Sequence, residues 1–386
     1  VADREAAPFV NEDRRLYPAT AAAQRALVVA VDLQDLQRPL APELDEFKAL
    51  AEAAGASVVG EVVQKLPRVD PATLVGSGKA REIAERAVEL EADVLFVFND
   101  MRPRQRINLE KVVPLPIVDR TMLILDIFAQ HARSREGQLQ VELAQLRYRQ
   151  SNLIGVGAAL SRLGGGVGTR GPGETKLEVD RRRIAQRITV LQRQLEEVRK
   201  QRATRRAGRG GDPFVALVGY TNVGKSSLLN RIAGARESDA AFVADQPFAT
   251  LDPTLRRAYV APGLNVRLAD TVGFITALPQ ELVNAFRATL EELDAADLLL
   301  HVSDASNPDW PRQRASVETI LRELHLDEKP TIAVFNKVDR LDPAARAALD
   351  SGGIEVSARS GEGIDRLRVA IAARLEASAA QPRGSK

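Results

Sequence analysis

Apolar positions along the first third of the chain come in short runs. Ala26 to Val31, Ser57 to Val63, Val94 to Phe98 and Leu115 to Val118 are apolar or β-branched runs of strand length. Leu44 to Ala54 and Lys79 to Leu90, lying between them, carry helix-like spacing. Strands alternating with helices predict a small, mostly parallel sheet. From Gln138 the period changes. Leu139, Leu143, Leu146, Gln150 and Leu153 are spaced four, three, four and three, and Ile184, Ile188, Leu191, Leu195 and Val198 repeat that spacing. Two helices with one apolar seam each predict an antiparallel hairpin, with both stripes serving packing. Beyond it strands return: Phe214 to Val218, then Leu255 to Val260 and Leu264 to Ala269 turned at Pro262-Gly263, then Thr331 to Phe335 and Ile354 to Val356. Leu278 to Asp294 reads as a helix.

The pattern divides the chain into a tail or linker (1–25, mixed charges with Pro8 and Pro18), a small α/β domain (26–133), a helical arm (134–211), a second α/β domain (212–377) and a short tail (378–386). The fold class predicted is α/β, with a mixed, mostly parallel sheet in the second domain.

The turn after Phe214 to Val218 carries the chemistry. Gly219-Tyr220-Thr221-Asn222-Val223-Gly224-Lys225-Ser226-Ser227 is a phosphate loop in its required context, between a buried strand and the helix begun by Leu228-Leu229-Asn230-Arg231-Ile232. Gly219 and Gly224 allow a tight turn whose N–H groups, from Asn222 and Val223 onward, converge on phosphate oxygens at a helix N-terminus. Lys225 is expected to reach the β and γ phosphates, and the Ser226 hydroxyl to hold Mg²⁺. Asp270-Thr271-Val272-Gly273 ends a later strand, placing an acid where it can complete the Mg²⁺ shell through water and a glycine N–H where the γ phosphate would sit. Asn336-Lys337-Val338-Asp339 follows Thr331 to Phe335. Guanine presents N1–H and N2–H₂ side by side, and a fixed carboxylate at Asp339 accepts both, whereas adenine lacks the amino group. Ser357-Ala358-Arg359 closes the last strand, where its backbone N–H can meet the base oxygen.

A second loop, Gly76-Ser77-Gly78-Lys79-Ala80, looks similar but has Thr73 in place of the first glycine and no hydroxyl at Ala80. A second nucleotide site and a simple helix-capping loop both remain open for it.

Lys+Arg (54) nearly balance Asp+Glu (52), so a polyanion partner must be met by a local patch. The arm supplies one: Lys176, Arg181, Arg182, Arg183 and Arg187, then Arg199, Lys200, Arg202, Arg205, Arg206 and Arg209. The run reads either as a solvated face or as an RNA site. Its two helices are joined by Leu163 to Thr175, glycine-rich and far longer than zipped helices need, with Arg162, Thr169 and Arg170 in or beside it. That connection is a linker or a loop that orders against a partner. With Tyr148 the arm's only aromatic residue, backbone and shape recognition of folded RNA is favoured over base stacking. The chain has no cysteine, so disulfides, thiolate metal sites and a catalytic thiol are excluded. Its apolar runs are too short for a membrane span, and Val1-Ala2-Asp3-Arg4-Glu5 has no signal-peptide core; a soluble, cytoplasmic monomer is expected.

Gly165 to Glu178, Phe248-Ala249-Thr250-Leu251-Asp252-Pro253-Thr254 and Asp270 to Ile275 resemble the HflX family, in the Obg/HflX group of translation-factor-type GTPases. The resemblance runs from about Ala26 to Ala377. It implies a P-loop GTPase that binds the large ribosomal subunit and its RNA through the N-terminal part and the arm, and splits stalled or idle ribosomes. It also implies a Mg²⁺ and switch role for Thr250. Two other readings stay open: a large-subunit assembly GTPase, and a nucleotide-insensitive RNA-binding or hibernation protein. Phe274 stands where Ras-like enzymes carry a water-orienting glutamine, so slow hydrolysis by the free protein is expected. Asn222 either helps hold a K⁺ or braces the loop.

Overall fold

The computed structural model describes residues 23–33, 39–163, 172–207, 211–234, 247–248, 254–275, 293–349 and 352–380. Two compact units result, Val1–Val198 and Arg199–Lys386.

In the first unit β1 (Gln24–Leu33), β2 (Ala56–Leu66), β3 (Val94–Val97) and β4 (Ile117–Asp119) form an all-parallel sheet in the order β2-β1-β3-β4. Because β1 leads to one side of the sheet and β2 crosses back to the other, the connecting helices must divide between its faces. Leu27, Val29, Val31, Leu95 and Val97 meet Ile83 of α2 (Ser77–Glu89) and Leu109 of α3 (Pro103–Glu110). Residues of the other parity, among them Val28 and Phe96, are equally buried and point to the face of α1 (Leu40–Ala53) and α4 (Arg120–His131).

The strand and helix order follows the sequence pattern, with corrections. Strand β1 begins at Gln24, so the expected tail ends sooner; β4 begins at Ile117 rather than Leu115. The pattern did not mark α3 or α4. Helix α4 is buried at most of its positions, so it lacks the polar stripe that betrays a surface helix.

Helices α5 (Arg135–Leu163) and α6 (Pro172–Ala207) are the arm. Leu139, Leu143, Leu146, Ile184, Leu191 and Leu195 form one buried seam, with Leu153, Ile188 and Val198 packed at its edge. Helix α6 opens at Pro172, whose fixed φ and missing N–H suit a first turn, so the connection expected over 164–175 is only residues 164–171. That connection, with Thr169 and Arg170, lies outside the described residues. Tyr148 is buried. Its hydroxyl donates to Asp119, whose carboxylate also takes Arg106 and caps α4 through Met122 N–H at 2.9 Å. This polar knot pins α5 to the end of β4 and to α3.

The second unit holds a six-stranded sheet, β10-β9-β8-β5-β7-β6. Its strands are β5 (Phe214–Gly219), β6 (Thr254–Ala261), β7 (Leu264–Asp270), β8 (Leu298–Asp304), β9 (Thr331–Asn336) and β10 (Ile354–Glu355). Only β6 runs antiparallel, paired with β7 around the Pro262-Gly263 turn. Strand β5 lies between β7 and β8, both parallel to it, so the chain's crossovers part on either side of its carboxyl end. Ligands bind at such a crevice in open α/β sheets. Helices α7 (Lys225–Ala233), α8 (Trp310–Glu323), α9 (Pro343–Ala347) and α10 (Ile364–Ala380) complete the described unit, α10 running past the expected end at 377. The helix expected over 278–294 lies outside the described residues apart from its last two. Among the described residues no helix is long and apolar enough to cross a membrane.

Candidate nucleotide site

At the carboxyl end of β5 the chain turns through Gly219 and Gly224 into α7. Both glycines are required sterically. A Cβ on Gly219 (φ +156°) would lie 2.3 Å from the Val302 carbonyl oxygen, and one on Gly224 (φ +88°) 2.4 Å from Asn336 Nδ2. Asn222 between them is left-handed, at φ +58°. The turn is therefore held from β8 and β9 on one side.

Lys225 curls into it, its Nζ donating to the carbonyls of Tyr220 (2.8 Å) and Gly219 (3.2 Å). Burial lowers its pKa to about 8, against the opposing pull of Asp270. Ser226 Oγ lies 2.5 Å from Asp270 Oδ2, and Asp270 is fully buried at the end of β7. A hydroxyl and a carboxylate side by side are hard oxygen donors, the set that suits Mg²⁺ held together with phosphate oxygens. Among the described residues no group of three or more His, Cys, Asp or Glu could hold a metal ion, and this pair is what they offer one.

Asp270 to Gly273 folds back onto the phosphate loop. Thr271 Oγ1 donates to Leu217 O at 2.6 Å, and Tyr220 and Phe274 form a short parallel bridge. A Cβ on Gly273 would lie 2.8 Å from Thr221 Cα and 3.1 Å from Lys225 Nζ, so the glycine leaves its backbone free to approach where Lys225 points. Phe274 is buried, 2 % exposed, and fills the interior rather than the crevice.

On the other side Asn336 joins three segments. Its Nδ2 donates to Val223 O at 2.8 Å, and its Oδ1 accepts Ala358 N–H at 3.0 Å. Lys337 Nζ reaches Asn222 O at 2.7 Å and pairs with Asp304 at 2.7 Å. Asp339 stands exposed on the short 3₁₀ turn Val338–Arg340. Ser357 is fully buried and takes Ser360 N–H on its hydroxyl at 3.0 Å, while Arg359 is exposed. The sequence-predicted residues Gly219, Asn222 to Ser227, Asp270, Gly273, Asn336, Lys337, Asp339 and Ser357 to Arg359 thus converge on one crevice. Thr250 lies outside the described residues.

Two further residues escaped the motif reading. Asp304, closing β8, anchors Lys337. Arg231 of α7 donates to the carbonyls of Ala358 (2.9 Å) and Arg359, bracing the loop beside Asn336. Only position at a strand end hints at the first, and nothing local at the second.

The similar loop at Gly76 is built differently. Gly76 caps α2 in an extended conformation, at φ −62°, the left-handed residue is Leu74 and does not adjoin the helix as Gly224 does, and Lys79 pairs with Glu82 at 2.7 Å and is not aimed inward. Gly76 stands at the N-cap of α2, as the helix-capping alternative has it.

Comparison with known proteins agrees with this geometry. Residues 41–129 match a family described as GTP-binding GTPase N-terminal, 131–209 one described as GTP-binding GTPase Middle Region, and 214–337 one described as 50S ribosome-binding GTPase. The GTPase HflX of Caldanaerobacter subterraneus subsp. tengcongensis is 48% identical over 351 residues, 90% of this chain and 80% of that protein. The chain belongs to the HflX family of GTPases. The Escherichia coli K12 GTPase HflX is 45% identical over 357 residues, 91% of this chain and 81% of its own. A GTP-binding protein of Sulfolobus solfataricus solved with GDP covers 92% of this chain and 99% of its own at 24% identity and a TM-score of 0.46, too distant to add to the argument. The HflX-family assignment makes this protein a P-loop GTPase, an enzyme converting GTP and water to GDP and phosphate, and P-loop GTPases bind their nucleotide with Mg²⁺.

Proposed function

We propose that this HflX-family GTPase binds the large ribosomal subunit and uses its nucleotide state to split stalled or idle ribosomes. The observation that carries the proposal is the arm: Arg181, Arg182 and Arg183 are all exposed on α6 in a chain whose overall charge is balanced. Three consecutive helical positions sweep about 200° of the surface, so these cations can meet phosphates on more than one side of the helix. Arg187 is different, taken by Glu142 in a two-pronged pair at 2.7 and 2.9 Å. In the sequence Arg162, Thr169, Arg170 and Lys176 lie in or beside the glycine-rich connection, and they belong to the proposed RNA-binding set. The description of the family matched by residues 214–337 supports the same partner.

In the catalytic site Lys225 neutralises charge building on the β and γ phosphates, and Gly273 N–H stabilises the γ oxygens. Ser226, Thr250 and, through water, Asp270 would hold Mg²⁺, which would supply positive charge to the phosphates. Asp339 selects guanine, Asn336 and Lys337 frame the base pocket, and Ala358 N–H meets the base oxygen. Phe274 is packed away, so the attacking water is oriented by backbone, by an ion or by the ribosome, and the free protein turns over slowly. The loop-bracing bond at Asn222 is made by its backbone carbonyl, which leaves its exposed amide for a K⁺. Equal hydrolysis rates in K⁺ and Na⁺ would remove the ion. The protein works as a cytoplasmic monomer in three parts: the sheet domain, the arm and the GTPase domain.

Sedimentation of intact ribosomes mixed with this protein tests the proposal. Subunits should appear with GTP or a non-hydrolysable analogue and not with GDP. Intact ribosomes in every lane, with GTP-dependent binding to free large subunits, would replace splitting by a role in subunit assembly. Unchanged binding by Lys225→Ala would leave the arm as a nucleotide-insensitive RNA binder.

A further inference from the structure

Within the first unit, residues of α3, α4, α5 and α6 line a half-open cavity of about 860 Å³. No sequence motif marks it, and nothing in the nucleotide chemistry uses it. Its walls are mainly apolar, with Ile107 and Met122 on the sheet-domain side and Leu139, Leu146 and Ile184 on the arm side. Its size lies in the range of roughly 300–1,000 Å³ typical of small-molecule sites, which are apolar with a few placed polar groups.

The placed group here is Arg149. Two other arginines at the cavity are already compensated: Arg106 by Asp119, and Arg187 by Glu142. Two more, Arg135 and Arg183, are exposed to water. Arg149 is half-buried, and among the described residues no carboxylate pairs with it and no acceptor takes its N–H groups. Burial alone acts on it, lowering its pKa from the usual guanidinium value. A charge withdrawn from water without a counter-charge is unfavourable, and it is retained where something else supplies that charge. A guanidinium fork matches the two oxygens of a carboxylate or the face of a phosphate.

We propose that this cavity binds a small amphipathic organic anion, with its carboxylate or phosphate head on Arg149 and its apolar body against Ile107, Met122, Leu146 and Ile184. Such a ligand touches the sheet domain and the hairpin together. Filling the space between them stiffens the base of the arm, with the Arg106–Asp119–Tyr148 knot as the fixed point beside it.

Calorimetric titration of the full chain with decanoate and with octyl phosphate, below their micellar concentrations, tests this. One saturable site per chain is expected for both, with decan-1-ol competing at least tenfold more weakly. Arg149→Gln should lower decanoate affinity at least tenfold, and Ile107→Trp, which narrows the cavity where the apolar body would lie, should weaken binding at least tenfold. Both variants should keep wild-type GTP affinity, which shows them folded and separates this outcome from any failure of the GTPase reading. Absence of a saturable site, equal affinity in Arg149→Gln, or decan-1-ol binding as well as decanoate would overturn the proposal. So would loss of ribosome binding in Arg149→Gln without any anion binding by the wild type, which would assign the guanidinium to RNA phosphate instead.

Discussion

Asp339 stands exposed on its 3₁₀ turn, where the proposed function has its carboxylate take the guanine. Asp339→Asn replaces one acceptor oxygen by a donor that faces the guanine amino group. Two charge-assisted bonds of about 1.5–3 kcal/mol each are at stake, so GTP affinity should fall by at least about 100-fold. Xanthosine triphosphate, which carries an oxygen in place of that amino group, should then bind better than GTP. Competition against a fluorescent nucleotide measures both. Lys225 makes a pH prediction. Its pKa is about 8 when buried, against 10.5 ordinarily, so between those values the unfolded chain holds the extra proton. Stability therefore gains from this residue as pH rises through that window. Nucleotide phosphates act in the opposite sense, favouring the ammonium form. Binding of GDP at pH 8.5 should take up part of a proton, detected by calorimetry in buffers of different ionisation enthalpy, and at pH 7 almost none. Most of these residues were legible because each motif is a local turn whose chemistry sits in consecutive positions. Arg231 was not, because its partner carbonyls lie 127 and 128 positions away and only the fold brings them together.

At the scale of elements, the arm was readable because each helix has one apolar seam against solvent on every other side. Helix α4 was not, since Thr121, Leu123 to Ala129 and even Asp126 are buried, and such a run has no period to detect. Its N-terminal Asp119 carries more than a cap. Asp119→Asn keeps the acceptor for Met122 N–H but leaves the partly buried Arg106 with only the more distant charge of Glu110, at a cost of about 2–4 kcal/mol. Tyr148→Phe removes one hydroxyl and leaves the ion pair, costing about 1–2 kcal/mol. Hydrogen exchange of the Ile117–Asp119 and α5 amides should accelerate in that order, far more in the first variant than in the second. The reverse order would mean that packing of the tyrosine ring, and not the Arg106–Asp119 pair, fixes the base of α5.

For the whole molecule, a net charge of +2 supplies no long-range pull, so ribosome affinity must come from where the arginines are concentrated. Reversing Arg181, Arg182 and Arg183 to Glu should abolish large-subunit binding. Neutralising them to Gln should weaken it and reduce the slope of log affinity against log salt by about two to three. Both sets of changes are on exposed positions, so GTP hydrolysis by the free protein should not change.

The bridge between Tyr220 and Phe274 bears on how the site moves. Thr221 N–H to Phe274 O at 2.8 Å and Phe274 N–H to Gly219 O at 3.1 Å make the phosphate loop and the Gly273 segment one piece of backbone. The two segments expected to meet the phosphates therefore shift together or not at all, and a change at Gly273 is felt at Thr221 without a further relay.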